Sequence, residues 1–539
     1  MCQLPNNKRL NMSAGIKYTH IYSLVYHLFC LTLGPVAFSQ TLQIGWATTD
    51  ITPTQPVLIQ GQFHARLSEG VKDPLTATAL AIESQKGGQP VRVIMIGLDL
   101  ISVADGLRDN SNLRKEVRER VVKAIPELKP TDISLNATHT HTAPVTSLRS
   151  AQEIYGVSLE EIAGGKKAIE PREYYYFAAE KIAEAAINAW KNRKPGGVSY
   201  GLSKAVVGHN RLQVDQAGKS LMYGNTSRPE FSHIEGYEDH NLNLIYTWDT
   251  SRKLTGVVVN IAVPSQVSEH LYEISADFWN ETRALMREEL GKDLYVLPQV
   301  SAAGDQSPHF MWNDKAEERM QKLMGLDKDG TGRNSMGRRL QIARTITEGV
   351  KAILPYMKEN IEWDPIVAQK TENIPLSRRL LGPDDLATAD KETAEWKPKY
   401  EQMLAEIKAN PDKTKEKRWY TAITIAHTRY RRGRSVHERY EAEKRNPKLP
   451  VEVKVIRIGD VAIATNPFEL YLDYGIRMKV KSPAVQTFVV QLAGGGSYLP
   501  TRRSILGGAY GAVPASTLFG PEGGTELVEK TVEMIKSLW

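Results

Sequence analysis

Apolar runs rich in β-branched residues recur along the chain and alternate with stretches of helical periodicity. The runs predict strands at 91–101, 133–137, 244–247, 255–263, 294–300, 451–465 and 485–492. The helical patterns predict helices at 112–125, 173–192, 276–290, 335–353 and 526–538. This alternation predicts an α/β fold in which mixed β-sheets are layered with helices.

The composition is that of an ordinary globular protein. Of the 539 residues, 41% are hydrophobic and 24% are charged, which argues against disorder. The net charge of +7 is mild for this length and gives no reason to expect nucleic acid as a partner. The two cysteines exclude a disulfide-rich scaffold and a four-cysteine zinc site.

The N-terminal segment has the pattern of an export signal. Residues 1–40 contain three basic residues and no acidic residue, and their second half is apolar. This pattern predicts a secretory signal peptide and a secreted or periplasmic protein, with an amphipathic or anchoring helix as the alternative. Gly34 and Pro35 interrupt the apolar stretch, so we expect no stable transmembrane span after signal removal. Cleavage near Gln40 would leave a mature chain, 41–539, without cysteine.

The segment from about 384 to 450 differs from the rest because it is strongly charged and helical in pattern. Its most basic parts are 413–420 and 427–445. One interpretation is a helix pair that binds an anion or closes over a pocket. The other is a helical insertion whose charged face is simply solvated.

Two histidines follow the predicted strand at 133–137, in the sequence NATHTHTAP at 136–144. His139 and His141 are two residues apart, and on an extended chain such side chains point to the same side. Neutral imidazole is a common zinc ligand, so the pair could serve one metal or one substrate. The alternative is two polar residues at a strand end.

Three further loops follow predicted strands, where α/β folds place ligands. AAGDQSP at 302–308 offers the carboxylate of Asp305 and the hydroxyl of Ser307 as candidate catalytic groups. TNPFELYLDYG at 465–475 contains Glu469, which could instead serve the N-terminus of the next helix. GGGSYLPT at 494–501 contains Tyr498, for which packing is the alternative role.

Eight segments in this order resemble the catalytic domain of the neutral/alkaline, non-lysosomal ceramidases. They are GWATTDITP (45–53), GLDLISVADGLR (97–108), NATHTHTAP, GHNR (208–211), AAGDQSP, NPFE (466–469), SYLPT (497–501) and GAVPASTLFGPEGGTELVE (511–529). The resemblance spans about 43–530 and implies one catalytic domain at 41–539, including the helical insertion. It carries no expectation of the C-terminal β-sandwich domain that often follows in this family.

The resemblance implies a single zinc ion held by two histidines, a glutamate and a tyrosine. The matching ligands are His139, Glu469 and Tyr498. By the same resemblance, His141 would contact the substrate beside the metal and Arg211 would direct a cation into the pocket. Ser307 matches a serine next to the zinc, either as nucleophile or as a positioning group.

The second histidine ligand is missing from its expected place. Val263 and Pro264 stand where the resemblance places that histidine, and the nearest replacement is His270. Three alternatives follow: His270 binds the metal, His141 joins His139 on the metal, or the metal is weakly bound or absent. Three protein ligands with a water remain a normal arrangement for catalytic zinc.

The resemblance therefore predicts a secreted, zinc-dependent hydrolase of an amide bond, with a ceramide-like lipid as the leading substrate. A hydrolase of another amide or ester is one alternative. A non-catalytic binding protein on the same scaffold is the other. The oligomeric state is left open by the sequence.

Overall fold

Two β-sheets form the framework of the protein. The computed structural model describes residues 42–86, 88–107, 109–326, 336–495 and 497–539. The larger sheet has eight strands in the order β8-β7-β6-β5-β1-β2-β3-β4. In chain order these strands are β1 (Leu42–Asp50), β2 (Thr76–Ser84), β3 (Val91–Leu98), β4 (Ile133–Ala137), β5 (Lys194–Lys204), β6 (Asn241–Asp249), β7 (Leu254–Ile261) and β8 (Tyr295–Val300).

The smaller sheet has four strands in the order β9-β10-β11-β12. They are β9 (Val367–Ser377), β10 (Lys448–Ile458), β11 (Val461–Thr465) and β12 (Gln486–Val490). Short strands in the connecting loops form one three-stranded sheet and several two-stranded pairs. These strands are Leu58–Ile59, Arg66–Leu67, Gly70–Val71, His209–Asn210, Leu212–Asp215, Ser220–Met222, Phe231–Ile234, Glu273–Ile274, Gln306–Ser307, Glu469–Leu470 and Tyr498–Leu499.

Six of the helices in the described part of the chain cover the outer faces of the sheets, and the others lie in the connections. In chain order the helices are α1 (Leu113–Ala124), α2 (Ala151–Tyr155), α3 (Leu159–Ala163), α4 (Pro171–Lys191), α5 (Phe278–Leu290), α6 (Asp314–Leu323), α7 (Met336–Glu359), α8 (Pro383–Ala409), α9 (Tyr420–Arg445), α10 (Leu472–Lys481), α11 (Arg502–Gly507) and α12 (Pro521–Lys536).

The packing gives four layers: helix, sheet, sheet and helix. The inner faces of the two sheets share one apolar cluster, to which the larger sheet contributes Trp46 and Leu297 and the smaller sheet Ile463 and Phe488. Helices α1 and α4 pack on the outer face of the larger sheet, together with α5 and α7, and α10 and α12 cover the smaller sheet. Burying apolar faces on both sides of each sheet is the usual route to a stable α/β core.

Three parallel strand pairs orient the loops that carry candidate site residues. They are β3 with β4, β7 with β8, and β11 with β12, while the other neighbours within the two sheets are antiparallel. The loops after β4, β8, β11 and β12 contain His139, Asp305, Glu469 and Tyr498 respectively. Ligand sites of α/β sheets lie outside the carboxyl ends of such strands.

The predicted α/β fold with mixed, layered sheets is confirmed. The apolar-run pattern missed β1, β2, β5 and β9, and the single strand predicted at 451–465 is two strands. Gly459, with φ of +57°, allows the chain to turn between β10 and β11.

The charged segment predicted as helical forms α8 and α9, which pack against each other. The leader predicted at 1–40, with both cysteines, lies outside the described residues. Within the described part of the chain, we find no helix of sufficient length and apolarity to cross a membrane.

Candidate active site

His139 begins the site in an unusual backbone conformation. Its φ is +65°, in the left-handed region that non-glycine residues seldom occupy. Two contacts hold it there: its N–H donates to the carbonyl of Leu100 at 2.9 Å, and its Nδ1 lies 2.6 Å from the carbonyl oxygen of Ile101. The second contact fixes the proton on Nδ1 and leaves the lone pair on Nε2. Strain of this kind persists where the surrounding structure enforces it, and it is concentrated at functional sites.

Glu469 and Tyr498 lie side by side opposite this lone pair. They are direct partners in the parallel pairing of the short strands Glu469–Leu470 and Tyr498–Leu499. A carboxylate oxygen of Glu469 is 3.4 Å from Nε2 of His139. Burial alone would raise the pKa of Glu469, but His139 in its protonated form, together with Arg211, outweighs burial and lowers that pKa to about 2. The cluster therefore contains an ionised, largely buried carboxylate.

His141 turns its ring to the same space. Its Nε2 lies 3.4 Å from Nε2 of His139 and 2.7 Å from the amide nitrogen of Gln266. Its Nδ1 lies 3.1 Å from a carboxylate oxygen of Glu269. A carboxylate can only accept, so it favours the proton on Nδ1 and leaves Nε2 as an acceptor. Burial, the largest effect, lowers the pKa of His141 and favours the neutral ring.

The two histidines meet for a different reason from the predicted one. Strand β4 ends at Ala137, before either histidine, so alternation along a strand does not align them. The left-handed turn at His139 brings the rings together, with centroids 4.9 Å apart.

Arg211 supplies the cation of the site. The side chain is buried, and its Nη2 donates to the hydroxyl of Tyr498 at 3.3 Å and to the carbonyl of Gly304 at 2.9 Å. Its Nη1 donates to the hydroxyl of Tyr223 at 2.8 Å and to the side-chain oxygen of Gln266 at 3.3 Å. We call His139, His141, Glu469, Tyr498 and Arg211 the His139 cluster.

Asp305 supports this arrangement from outside the cluster. Its carboxylate accepts from the Leu472 N–H at 3.0 Å and from the Asn210 side chain at 3.1 Å, and its carbonyl accepts from the Arg211 N–H at 2.9 Å. Burial raises the pKa of Asp305 to about 6. Asp305 thus ties the Arg211 segment to the start of α10.

Ser307 is completely buried, and its hydroxyl accepts from the N–H of His309 at 3.1 Å. The ring of His309 in turn lies 3.5 Å from the carboxylate of Glu269. Within the described residues, no imidazole or carboxylate contacts the Ser307 hydroxyl itself.

The structure does not bring His270 into the cluster. His270 is exposed, and in the described chain its side chain contacts neither His139 nor Glu469. The neighbouring residue, Glu269, lies against His141 instead. Val263, where the resemblance places a histidine, is fully buried in an apolar cluster with Ile261 and Trp279.

The donor atoms of the cluster fit a zinc ion only in part. Two ligands of a tetrahedral zinc, each at about 2.0–2.1 Å, stand roughly 3.4 Å apart, which matches the separation of His139 from Glu469 and also that from His141. Among the described residues, no group of three or more His, Cys, Asp and Glu side chains could hold a metal ion. A zinc ion here would therefore need the Tyr498 hydroxyl as its third protein donor, with water completing an open coordination.

Sequence reasoning missed four residues that shape the site: Glu269, Gln266, Arg66 and Gly61. Arg66 is fully buried and donates to the carbonyl of His141, and a Cβ on Gly61 would come within 2.6 Å of the His141 ring. Gly61 has a φ of +113°, which favours glycine. A single sequence does not show which glycines have such a φ, so none of the four residues could be selected in advance.

Comparisons with known proteins agree with this fold. No protein-family model matches the chain, and neither does any curated protein. The solved structure of neutral ceramidase from Pseudomonas aeruginosa is similar over 92% of this chain and 74% of its own, with a TM-score of 0.62 and 15% identity. A structure of a ceramidase complexed with C2 is similar over 92% of this chain and 75% of its own, with a TM-score of 0.60 and 14% identity. The chain therefore has a ceramidase-like fold of the mixed α/β class.

Proposed function

We propose that this protein is an exported, zinc-dependent hydrolase of an amide bond, with residues 41–539 as one catalytic domain and a ceramide-like lipid as the leading substrate. One observation carries the proposal: side chains from four distant segments converge in the His139 cluster. His139 contacts both His141 and Glu469, and Arg211 contacts Tyr498. The ceramidase-like fold supports the same class of reaction.

The cluster contains the groups that amide hydrolysis needs. Hydrolysis adds the oxygen of water to the carbonyl carbon, breaks the C–N bond and transfers a proton to the departing nitrogen. In this proposal, Nε2 of His141 takes a proton from water in place of its contact with the Gln266 amide and passes a proton to that nitrogen. The proposal gives the Arg211 guanidinium, the cation of the cluster, the role of stabilising negative charge on the carbonyl oxygen.

His139, Glu469 and Tyr498 would hold the zinc ion. When bound, zinc polarises a carbonyl and brings the pKa of a bound water to about 7. We assign Ser307 a positioning role, because its hydroxyl accepts from the backbone of His309 and has no neighbouring base among the described residues.

Metal analysis of the purified mature protein tests the ligand set. We expect near-stoichiometric zinc in the native protein, loss of zinc in His139→Ala and in Glu469→Gln, and retention in His270→Ala. His233→Ala is the matched control, because His233 is an exposed histidine far from these donors in sequence. Absence of zinc from the native protein, or its retention in His139→Ala, would refute the proposed site.

Release of fatty acid from a fluorescent short-chain ceramide tests the substrate. We expect release by the native protein and a fall of about 100-fold or more in His141→Ala, as for loss of a general acid–base group. Zinc-loaded protein that hydrolyses simpler acyl amides but not ceramide would exclude ceramide as the substrate.

A non-catalytic binding protein is the second candidate. It is favoured by the finding that the described residues include no group of three His, Cys, Asp or Glu side chains suited to a metal. Saturable binding of an acyl amide, without product and without zinc, would support this alternative.

A further inference from the structure

The helix pair α8–α9 packs on the segment from Leu58 to Leu67. Its apolar face, including Ile423, packs in one cluster with Leu58 and Leu67. Two hydrogen bonds fasten α9 to the same segment: the Ala65 N–H donates to the Thr424 hydroxyl at 3.1 Å, and the Leu67 N–H donates to the Tyr420 hydroxyl at 3.4 Å. Gly61, which lies against His141, belongs to this segment. The helix pair α8–α9 therefore packs on the segment that contacts His141, a member of the His139 cluster.

A chain of aromatic rings connects the cluster to α9. The ring of Tyr498 packs edge-on against Tyr510 at 5.9 Å, and Tyr510 packs edge-on against Phe63, also at 5.9 Å. The Arg432 guanidinium lies 5.1 Å from the Tyr510 ring and 5.3 Å from the Phe63 ring. The Arg429 guanidinium lies 4.4 Å from the Phe63 ring. Both cations thus stand two or three ring contacts from Tyr498.

These two arginines are less neutralised than others on the same helix. Arg434 and Arg439 pair with Glu438 and Glu443 at 2.9 and 2.7 Å. The carboxylate nearest to Arg429 is that of Glu392, at 3.8 Å, and the Arg429 side chain is 39% exposed.

Arg432 has no carboxylate partner within the described chain. Its Nη2 donates to the hydroxyl of Ser516 at 3.0 Å, and its Nε is buried without an acceptor. Arg429 and Arg432 are three residues apart on α9, a spacing at which like charges destabilise a helix.

Cation–π contacts hold the two guanidiniums beside the rings and leave their N–H donors for other partners. A guanidinium over an aromatic ring uses its face, while its N–H donors point out along the edges in a fork suited to a carboxylate or another oxyanion. The guanidiniums of Arg429 and Arg432 both lie near the Phe63 ring, and the Nε of Arg432 is buried without an acceptor. An anion bound between them would reduce the repulsion between the two cations and accept from their unpaired N–H groups.

We propose that Arg429 and Arg432 form an anion subsite, and that the substrate is an acyl amide whose end remote from the scissile bond carries an oxyanion such as a carboxylate or sulfate. This rests on the proposed amide hydrolysis at the His139 cluster, and it makes an anionic acyl amide, in place of neutral ceramide, the preferred substrate. The apolar part of the substrate lies along Phe63 and Tyr510, and its anionic end reaches α9.

Matched substrates test the subsite. The probes are N-lauroyl aminocaproate, which is anionic, N-lauroyl aminohexanol, which is neutral, and the sulfate ester of the second. We expect the native protein to prefer both anionic amides, and Arg429→Gln or Arg432→Gln to lower their kcat/KM about 10-fold or more, as for one lost charge-assisted hydrogen bond. Hydrolysis of the neutral amide should change less than about twofold. Arg434→Gln is the control, because Arg434 is exposed and already paired.

Calorimetric binding of the same amides separates this proposal from the proposed function. Tighter binding of the anionic amides that is lost in Arg429→Gln, without any lauric acid release, supports the subsite and refutes the hydrolase. Hydrolysis of all three amides at rates that Arg429→Gln leaves unchanged supports the hydrolase and refutes the subsite. Because Arg429 is partly exposed, its variant decides the question even where Arg432→Gln fails to fold.

Discussion

Replacement of Arg66 by methionine removes the group that ties three chain segments around His141. Nη2 of Arg66 donates to the carbonyl oxygens of Gln60 and His141 at 2.7 and 2.5 Å. Nη1 donates to the carbonyl oxygens of Glu269 and Leu271, both at 2.7 Å. Methionine has a comparable length but no donor, so four carbonyls lose their partner in the buried interior.

The structure allows the cost to be estimated. Four hydrogen bonds from a charged donor, at about 1.5–3 kcal/mol each, give roughly 6–12 kcal/mol before any offset. Burial lowers the pKa of Arg66 to about 10 from its ordinary 12.5, and this desolvation offsets about 3 kcal/mol at about 1.4 kcal/mol per pKa unit. We therefore expect Arg66→Met to lower the free energy of unfolding by at least about 3 kcal/mol.

Denaturant unfolding and steady-state kinetics on the same preparations measure the effect. Arg66→Lys should be intermediate, because an ammonium has fewer donors and no planar fork. Arg434→Met is the matched control and should cost less than about 1 kcal/mol, since Arg434 forms an exposed ion pair. An Arg66→Met protein with native stability and native kcat/KM would show that the four carbonyls do not depend on Arg66, and the reasoning would be wrong.

Three other substitutions test separate features. Gly61→Ala should cost about 100-fold in kcat, measured on folded protein, because its Cβ would lie 2.6 Å from the His141 ring and small misplacements of catalytic groups are expensive. The two carboxylate oxygens of Asp99 accept from the buried Arg283 guanidinium at 2.8 and 2.9 Å. Asp99→Asn should therefore lower the free energy of unfolding, measured with denaturant, by about 3–5 kcal/mol, because it leaves a buried charge without its bidentate partner. A loss below about 1 kcal/mol would contradict this reasoning. Burial lowers the pKa of Lys454 to about 7 from 10.5, so the unfolded state binds more protons between these pH values and stability should rise with pH there. Lys454→Met should flatten that rise in unfolding free energy, and an unchanged slope would show that Lys454 is not responsible.

The sequence predicted best those elements whose own residues show the pattern. Strand β4 appears with its predicted bounds because its short apolar run lies directly between polar segments. Strand β5 was missed because its three glycines are typical of a loop. Those glycines serve packing: a Cβ on Gly201 would lie 2.8 Å from both Ile353 and Met357 of α7, and one on Gly197 2.5 Å from Ile361. Such close approaches depend on distant segments and leave no periodic signal.

The same difference separates the predicted and missed site residues. His139, Glu469 and Tyr498 stand in loops directly after strands, so strand prediction and residue type were enough to select them. Glu269 was missed because residue type favoured its neighbour His270 as a donor. Which of two adjacent residues faces the site depends on the path of the loop after β7, and that path is fixed by contacts such as the one from Arg66 to the Glu269 carbonyl.

The segment from Leu58 to Leu67 joins the proposed chemistry to the proposed substrate recognition. Arg66 in this segment donates to the His141 carbonyl, while the ring of Phe63 makes a cation–π contact with Arg429 of α9. The two residues lie on one short hairpin, so a shift of α9 by a bound anion would be transmitted to His141 through few intervening contacts. A packed segment of this kind has little freedom to deform gradually, since interiors are as dense as organic crystals. If both proposals hold, the helix pair belongs to the active-site structure, while its outer face carries exposed ion pairs such as Lys399 with Glu395.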